Sequence, residues 1–332
     1  MIAHSTGTSP VSPSSGQESL PPGFRFSIPV PVRFNETDAS GHVNPVSYFI
    51  YLSEARNRYF ERLGIFDEPW NRPGRGTHYS VHLGCDYRGP LRAGQTIRAC
   101  ARVTRLGRTS VEMEFALVPD GRRRPVATGR TVCIHWDPRR GAVARLPPRW
   151  RRAVEAFERR ALSDAPPAAP ARAAAGESGR PFRFWVPIPV RFAETDANGH
   201  LNDINYLLCF AVSRDAYFAR LARRRAGEAP RFRDAHLSCD YRTPVRFGQT
   251  VQVAARVIRL DRARIECAFA VFAPGEAAPA ATGRGIFVSC EPERGRAAPI
   301  PPDLRKAIAA LERDPTLAGP SRRARRTRDA SP

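Results

Sequence analysis

Of the 53 basic residues in the chain, Lys306 is the only lysine; the rest are arginines. Nowhere do about 18 apolar, uncharged residues run together, so no segment reads as an ordinary membrane-spanning helix. The seven cysteines are odd in number and include no CxxC or CxxxC pair, so neither a structural zinc nor any other metal site is expected, and no cofactor is implied. Residues 1–22 carry neither a basic leader nor a continuous apolar stretch, and the expectation is a soluble protein in a reducing cytoplasm. The formal net charge of +21 would ordinarily point to a polyanionic partner, because many fixed positive charges attract one at long range. Here the arginines are scattered through both halves rather than gathered in a stripe, so a solvated basic surface is favoured over nucleic-acid binding.

A length of 332 residues exceeds one typical domain of ~100–150 residues and suits two compact domains plus tails. An internal repeat fixes that count. Residues 29–44 read PVPVRFNETDASGHVN and residues 187–202 read PIPVRFAETDANGHLN, with 12 of 16 positions identical at an offset of 158. Further on, Cys85-Asp86-Tyr87-Arg88 matches Cys239-Asp240-Tyr241-Arg242, and Ala127-Thr128-Gly129-Arg130 matches Ala281-Thr282-Gly283-Arg284, at an offset of 154. The four-residue loss falls between Leu63 and Tyr79, where Pro69, Pro73, Gly74 and Gly76 mark an irregular loop that tolerates deletion. The expected organisation is a disordered tail over 1–22, one domain over 23–162, an Ala/Pro-rich linker over 163–180, a second domain over 181–313 and a disordered basic tail over 314–332.

Each copy has the same order of elements. A strand is expected over 24–34, with Pro29 and Pro31 confining it to a sheet edge. A helix follows, with Asn44 or Asn202 as cap. Val46, Phe49, Ile50, Phe60 and Leu63 form the apolar face of the first, and Ile204, Leu207, Leu208, Ala211, Phe218 and Leu221 that of the second. Four strand-like runs come next in the first copy, over 79–88, 95–106, 109–118 and 126–136. Closing helices are expected over 148–162 and 302–313. This is an α+β layer, an antiparallel sheet of about five strands wrapped around one long helix.

The pattern R-F-x-E-T-D-A-x-G-H-[VL]-N, followed by a helix bearing Tyr48 or Tyr206 and by D-Y-R-x-P-[LV]-R-x-G-Q-T, resembles the hotdog-fold thioesterases of the 4-hydroxybenzoyl-CoA thioesterase family. Both halves match over nearly their full length, so the implied fold is a tandem, or double, hotdog. The resemblance implies that Asp38 and Asp196 are the catalytic carboxylates of an acyl-CoA thioesterase. Thioester hydrolysis needs a carboxylate that attacks, or one that takes a proton from water, together with a positive dipole where the carbonyl oxygen turns negative. A tight Ala39-Ser40-Gly41 turn would set Asp38 beside a helix N-terminus, whose unpaired N–H groups supply that dipole.

His42, His200, Asn44 and Asn202 are the remaining polar groups of the two loops, and the resemblance gives them the task of orienting carboxylate, water or thioester. For the asparagines, capping the helix is an equal alternative. Gly41 and Gly199 either admit the acyl group or simply turn the chain. Tyr48 and Tyr206 line the acyl pocket or belong to the core, with core favoured. Arg88 and Arg242, and with them Arg92 and Arg246, are the candidates for CoA phosphates. Glu54 has Val212 as its counterpart, which favours a surface ion pair over a catalytic role. Cys100, Cys133, Cys209, Cys267 and Cys290 correspond to apolar or aromatic residues in the other copy and read as core; Cys85 and Cys239 match one another but have no paired histidine.

Hotdog domains resemble one another in pairing sheet edge to sheet edge with active sites at the junction, so the two copies are expected to form an intramolecular pseudo-dimer; further homo-oligomerisation is left open. Two rivals stand beside the acyl-CoA reading. One is an acyl carrier protein thioesterase, whose acidic partner would suit the basic surface. The other is a non-catalytic acyl-binding module, against which the retention of Asp, His and Asn in both copies argues.

Overall fold

In the computed structural model, residues 20–65, 78–165, 181–222, 231–291 and 295–318 are described; most of the expected tails and linker lie outside them. The first half comprises β1 (Phe26–Pro31), α1 (Ser47–Arg62), β2 (His78–Tyr87), β3 (Thr96–Leu106), β4 (Ser110–Pro119), β5 (Ala127–Asp137), a two-residue β6 (Ala142–Val143) and α2 (Pro148–Glu158). The second repeats it as β7 (Phe184–Pro189), α3 (Asp203–Ala222), β8 (Arg231–Tyr241), β9 (Thr250–Leu260), β10 (Arg264–Phe272), β11 (Ala281–Cys290) and α4 (Pro302–Glu312).

All strands join one antiparallel sheet in the order β1-β3-β4-β5-β2-β8-β11-β10-β9-β7, with β6 on β5. β1 and β7 close the two outer edges. Their prolines, Pro29 and Pro31 in one and Pro187 and Pro189 in the other, cannot donate to a further strand. The proline-free β2 and β8 therefore form the seam, with Leu83 opposite Cys239, Gly84 opposite Ser238 and Cys85 opposite Leu237. Two hydrogen bonds cross it symmetrically: His82 Nδ1 to Asp240 Oδ1 and His236 Nδ1 to Asp86 Oδ1, both 2.7 Å.

The long helices lie against the sheet so closely that glycine is required beneath them. A Cβ on Gly129 would run into Leu52 of α1, and one on Gly283 into Phe210 of α3. A second duplicated device ties in the closing helices. Tyr59 of α1 donates to Glu158 Oε1 of α2 at 2.5 Å, and the same oxygen accepts the Val103 N–H of β3 at 3.0 Å. In the other half Tyr217 and the Val257 N–H make the same contacts to Glu312, at 2.6 and 3.0 Å. Burial raises the Glu312 carboxyl above its ordinary range.

Three expectations are corrected. The first strand ends at Pro31 rather than Phe34, because residues 34–36 form a 3-10 turn closed by the Arg33 N–H on Glu36 Oε2 at 2.8 Å. Regular helix begins at Ser47, since Pro45 has no N–H and that of Val46 is taken by the Asn44 side chain. Ile50, assigned to the apolar face, is 40% exposed; Phe49 and Phe60 hold their expected places on that face and are joined there by Leu52 and Ala55. All seven cysteines are free and buried, as packing residues should be.

Candidate active site

Each repeat motif folds into the same loop. A 3-10 turn, Phe34–Glu36 or Phe192–Glu194, delivers the chain into it. The Asp38 N–H donates to the His42 carbonyl at 2.8 Å and the Gly41 N–H to the Asp38 carbonyl at 2.9 Å; Asp196, His200 and Gly199 repeat both bonds at the same distances. Gly41 and Gly199 both sit at φ +73°, a left-handed turn that an L side chain enters only with strain. Thus the turn itself accounts for these glycines. Gly41 also has Arg92 close by, with Nη1 4.0 Å from where a Cβ would stand.

The loop holds one carboxylate oxygen of each aspartate. Asp38 Oδ1 accepts from the Ser40 N–H at 2.8 Å, the Ser40 hydroxyl at 2.5 Å and the His42 N–H at 3.4 Å. Asp196 Oδ1 accepts from the Asn198 N–H at 2.8 Å and the His200 N–H at 3.3 Å. Neither Oδ2 has a hydrogen bond among the described residues, which leaves each loop one carboxylate oxygen for chemistry.

Asn44 and Asn202 accept the N–H two residues on, from Val46 at 2.9 Å and Ile204 at 3.0 Å; at Asn202, directly ahead of α3, this caps the helix, while at Asn44 it closes the turn that leads into α1. Their backbone N–H groups donate to the Glu36 and Glu194 carbonyls, which ties the helix start to the 3-10 turn. His42 Nδ1 lies 3.3 Å from the Ser40 hydroxyl. Burial, and after it the charge of Arg246, hold the His200 imidazole below its usual range, so it is neutral at pH 7.

Tyr48 and Tyr206 are buried, and their hydroxyls are engaged. Tyr48 donates to the Gly89 carbonyl and accepts the Leu91 N–H, both at 3.1 Å; Tyr206 meets Thr243 and Val245 in the same way. They bracket the turn after β2 and after β8 and have no hydroxyl proton left for a substrate. Arg88 and Arg242 are exposed, the former 3.4 Å from the Thr128 hydroxyl. Glu54 forms a surface ion pair with Arg58 at 2.8 Å.

The second loop is completed by the first half. The Tyr79 ring lies 6.5 Å from that of His200, and packs edge-on against Trp136 at 5.6 Å. Burial and the Asp196 charge raise the Tyr79 phenol. Asp203, the first residue of α3, accepts the Ser80 hydroxyl at 2.7 Å and pairs with Arg56 at 3.5 Å; Arg56 in turn donates to Ser80 at 2.8 Å. Motif spacing did not point to Tyr79, Arg56 or Ser80, because it carries no information about which residues the other half brings across the seam. A signal for the seam pairs was present: His82 and Asp86 recur as His236 and Asp240 at the offset of 154.

A family model, the Thioesterase-like superfamily, matches residues 32–154 and again 190–308, and the chain belongs to that superfamily. This makes it a thioester hydrolase by family, built from two copies of the family's unit. An uncharacterised Bacillus subtilis protein, YsmA, is 32% identical over 111 residues, 33% of this chain and 72% of YsmA. A betainyl-CoA thioesterase of Pseudomonas aeruginosa is 27% identical over 128 residues, 37% of this chain and 79% of that enzyme. Among solved structures, the 12:0-ACP thioesterase of Umbellularia californica superimposes with a TM-score of 0.62 over 80% of this chain and 97% of its own. At 11% identity it attests the hotdog arrangement alone.

Proposed function

We propose that the protein hydrolyses acyl-CoA thioesters to a free acid and CoA, with the Asp38 and Asp196 loops as its two candidate sites. The observation that carries this reading is the repeated loop, which fixes one oxygen of an aspartate, leaves the other without a hydrogen bond among the described residues, and leads directly into a long buried helix. The open oxygen attacks the thioester carbonyl or takes a proton from the water that does; either route leaves a negative carbonyl oxygen for the helix start to stabilise. Asn44 and Asn202 fix that helix start, and His42 and His200 close the loop through their backbone. The exposed Arg92 and Arg246, beside Gly41 and His200, are better placed for CoA phosphates than Arg88 and Arg242, because they border the loops themselves.

The test is thiol release from a panel of aliphatic and aromatic acyl-CoAs by the wild type and the Asp38→Asn/Asp196→Asn double variant. Release by the former and none by the latter is expected. A wild type that releases thiol only from acyl carrier protein substrates would move the reading to an acyl carrier protein thioesterase, and one that binds acyl-CoA without release would move it to a binding module.

A further inference from the structure

The two loops share their backbone hydrogen bonds up to the helix start, and there they part. In the first half the Asn44, Val46 and Ser47 N–H groups go to the Glu36 carbonyl, the Asn44 side chain and the Asn44 carbonyl, at 2.8, 2.9 and 2.9 Å. In the second, Asn202, Ile204 and Asn205 make the same three bonds at 2.9, 3.0 and 2.9 Å. The residue enclosed by these bonds is Pro45 in one half and Asp203 in the other. Proline has no N–H to offer. The Asp203 N–H exists and has no hydrogen bond among the described residues.

Two more differences act in the same direction. The Ser40 hydroxyl adds a 2.5 Å hydrogen bond to Asp38 Oδ1 that Asn198 does not make to Asp196, so the first carboxylate is tied down by one more donor. A carboxylate beside a developing oxyanion would normally oppose it, yet the Asp203 side chain turns to Arg56 and Ser80 of the first half, and its charge is matched there. At the first helix start the corresponding arginine, Arg214, pairs instead with Asp234 of its own half at 2.9 Å.

We propose that the two sites are unequal: the second, with Asp196 as its carboxylate and the Asp203 N–H as its oxyanion donor, carries most of the turnover, while the first binds thioester and turns it over slowly for want of that donor. This rests on the thioesterase reading above. The thioester carbonyl oxygen becomes negative as the attacking oxygen adds to the carbonyl carbon, before the C=O re-forms and the C–S bond breaks, and a preorganised N–H at that point lowers the barrier only if it exists. CoA leaves as the thiol, taking up the proton released by the attacking water, so the balance needs nothing beyond water.

Five variants decide it. Asp203→Ala keeps the N–H and removes the carboxylate; Asp203→Pro removes both, and proline suits a first helical position, while the first half already carries Pro45 at the matching place just ahead of α1. The expected kcat of Asp203→Pro lies about 10²–10³-fold below that of Asp203→Ala, with KM moved far less. Asp196→Asn is expected to cost at least about tenfold more in kcat than Asp38→Asn. Pro45→Ala, made in the Asp196→Asn background, is expected to raise thiol release, since it returns an N–H to the first loop. Equal kcat for Asp203→Pro and Asp203→Ala, both folded by thermal melt, would overturn the proposal, and so would equal losses in the two Asp→Asn variants. A wild type that releases no thiol would instead remove the reading on which it rests.

Discussion

His78 in the first half and Phe232 in the second occupy the same repeat position, and each stacks on the same aromatic of the long helix, Phe60 at 4.9 Å in one case and Phe218 at 4.8 Å in the other. The histidine is also stacked on Trp150 at 4.9 Å. The shape of the packing is kept while its chemistry changes. One place farther along, the edge-on pair Tyr79 and Trp136 is replaced by Arg233 and Cys290, whose Nε and Sγ are 3.1 Å apart. Next to that, Ser80 gives way to Asp234. The differences between the halves thus cluster where the opposite loop docks, whereas the motif loops and the Tyr59–Glu158 and Tyr217–Glu312 clamps are kept in duplicate. Duplication has preserved what builds each domain and let the two mouths diverge.

The comparison breaks most sharply in the catalytic variants: the double Asp38→Asn/Asp196→Asn chain should lose all measurable thiol release, with the larger share traced to Asp196 by kcat of the singles. Next in size is the half-buried ion pair that joins the halves. Arg56→Met strands Asp203 without its counter-charge, and chemical denaturation should register a loss of about 2–3 kcal/mol, because water reaches the remaining charge only in part. A loss under about 1 kcal/mol would mean that Asp203 reaches water when Arg56 is removed.

His78 provides a pH test of a difference between halves. Burial, and then the Arg56 charge, lower its imidazole from 6.5 to about 3. A base held neutral in the folded state disfavours folding once the unfolded chain begins to bind the proton. Its cost therefore starts near pH 6.5, grows as the pH falls, and levels off near pH 3. Stability should decline by up to about 1.4 kcal/mol per pH unit across that window, and His78→Phe, the residue of the other half, should flatten the decline. An unchanged slope in the variant would place the acid sensitivity elsewhere.

The clamps test sameness rather than difference. Glu158→Ala and Glu312→Ala each leave a buried tyrosine hydroxyl and a strand N–H without their acceptor, so each should cost about 1–3 kcal/mol, and by similar amounts. Smallest is the seam. The hydrogen bond from His236 holds the Asp86 carboxyl below its usual range, so this contribution is present at neutral pH and is lost as the pH falls through the lowered value. His236→Ala should return Asp86 toward an ordinary carboxylate titration, read by NMR.

Most of the fold was legible because the repeat doubled every signal: alternation along the strands, the proline-marked edges, the loop glycines. The strand ranges agree with the structure to within a few residues; β6 went unforeseen, two residues being too short to show a period, and so did the 3-10 turn Pro315–Ala318, which buries Leu317 at the start of the expected disordered tail. The site was legible only on the side that the motif itself contributes. The wall that Tyr79, Trp136, Arg56 and Ser80 bring to the second loop depends on how β2 meets β8. A bulge between Ser80 and His82 resets which face the end of β2 presents, and no periodicity along one chain reveals that. Asn44, equally balanced between cap and substrate contact in the sequence, has its side-chain oxygen on the Val46 N–H.

Because β2 and β8 belong to one polypeptide, the two halves meet without a second molecule, and dilution cannot part them. In a pair of identical chains any substitution would appear twice, once at each mouth, and a proline at the helix start would strip the donor from both. Here it strikes once. The seam thus frees each mouth to acquire its own residues, which is how Pro45 and Asp203 come to share a molecule.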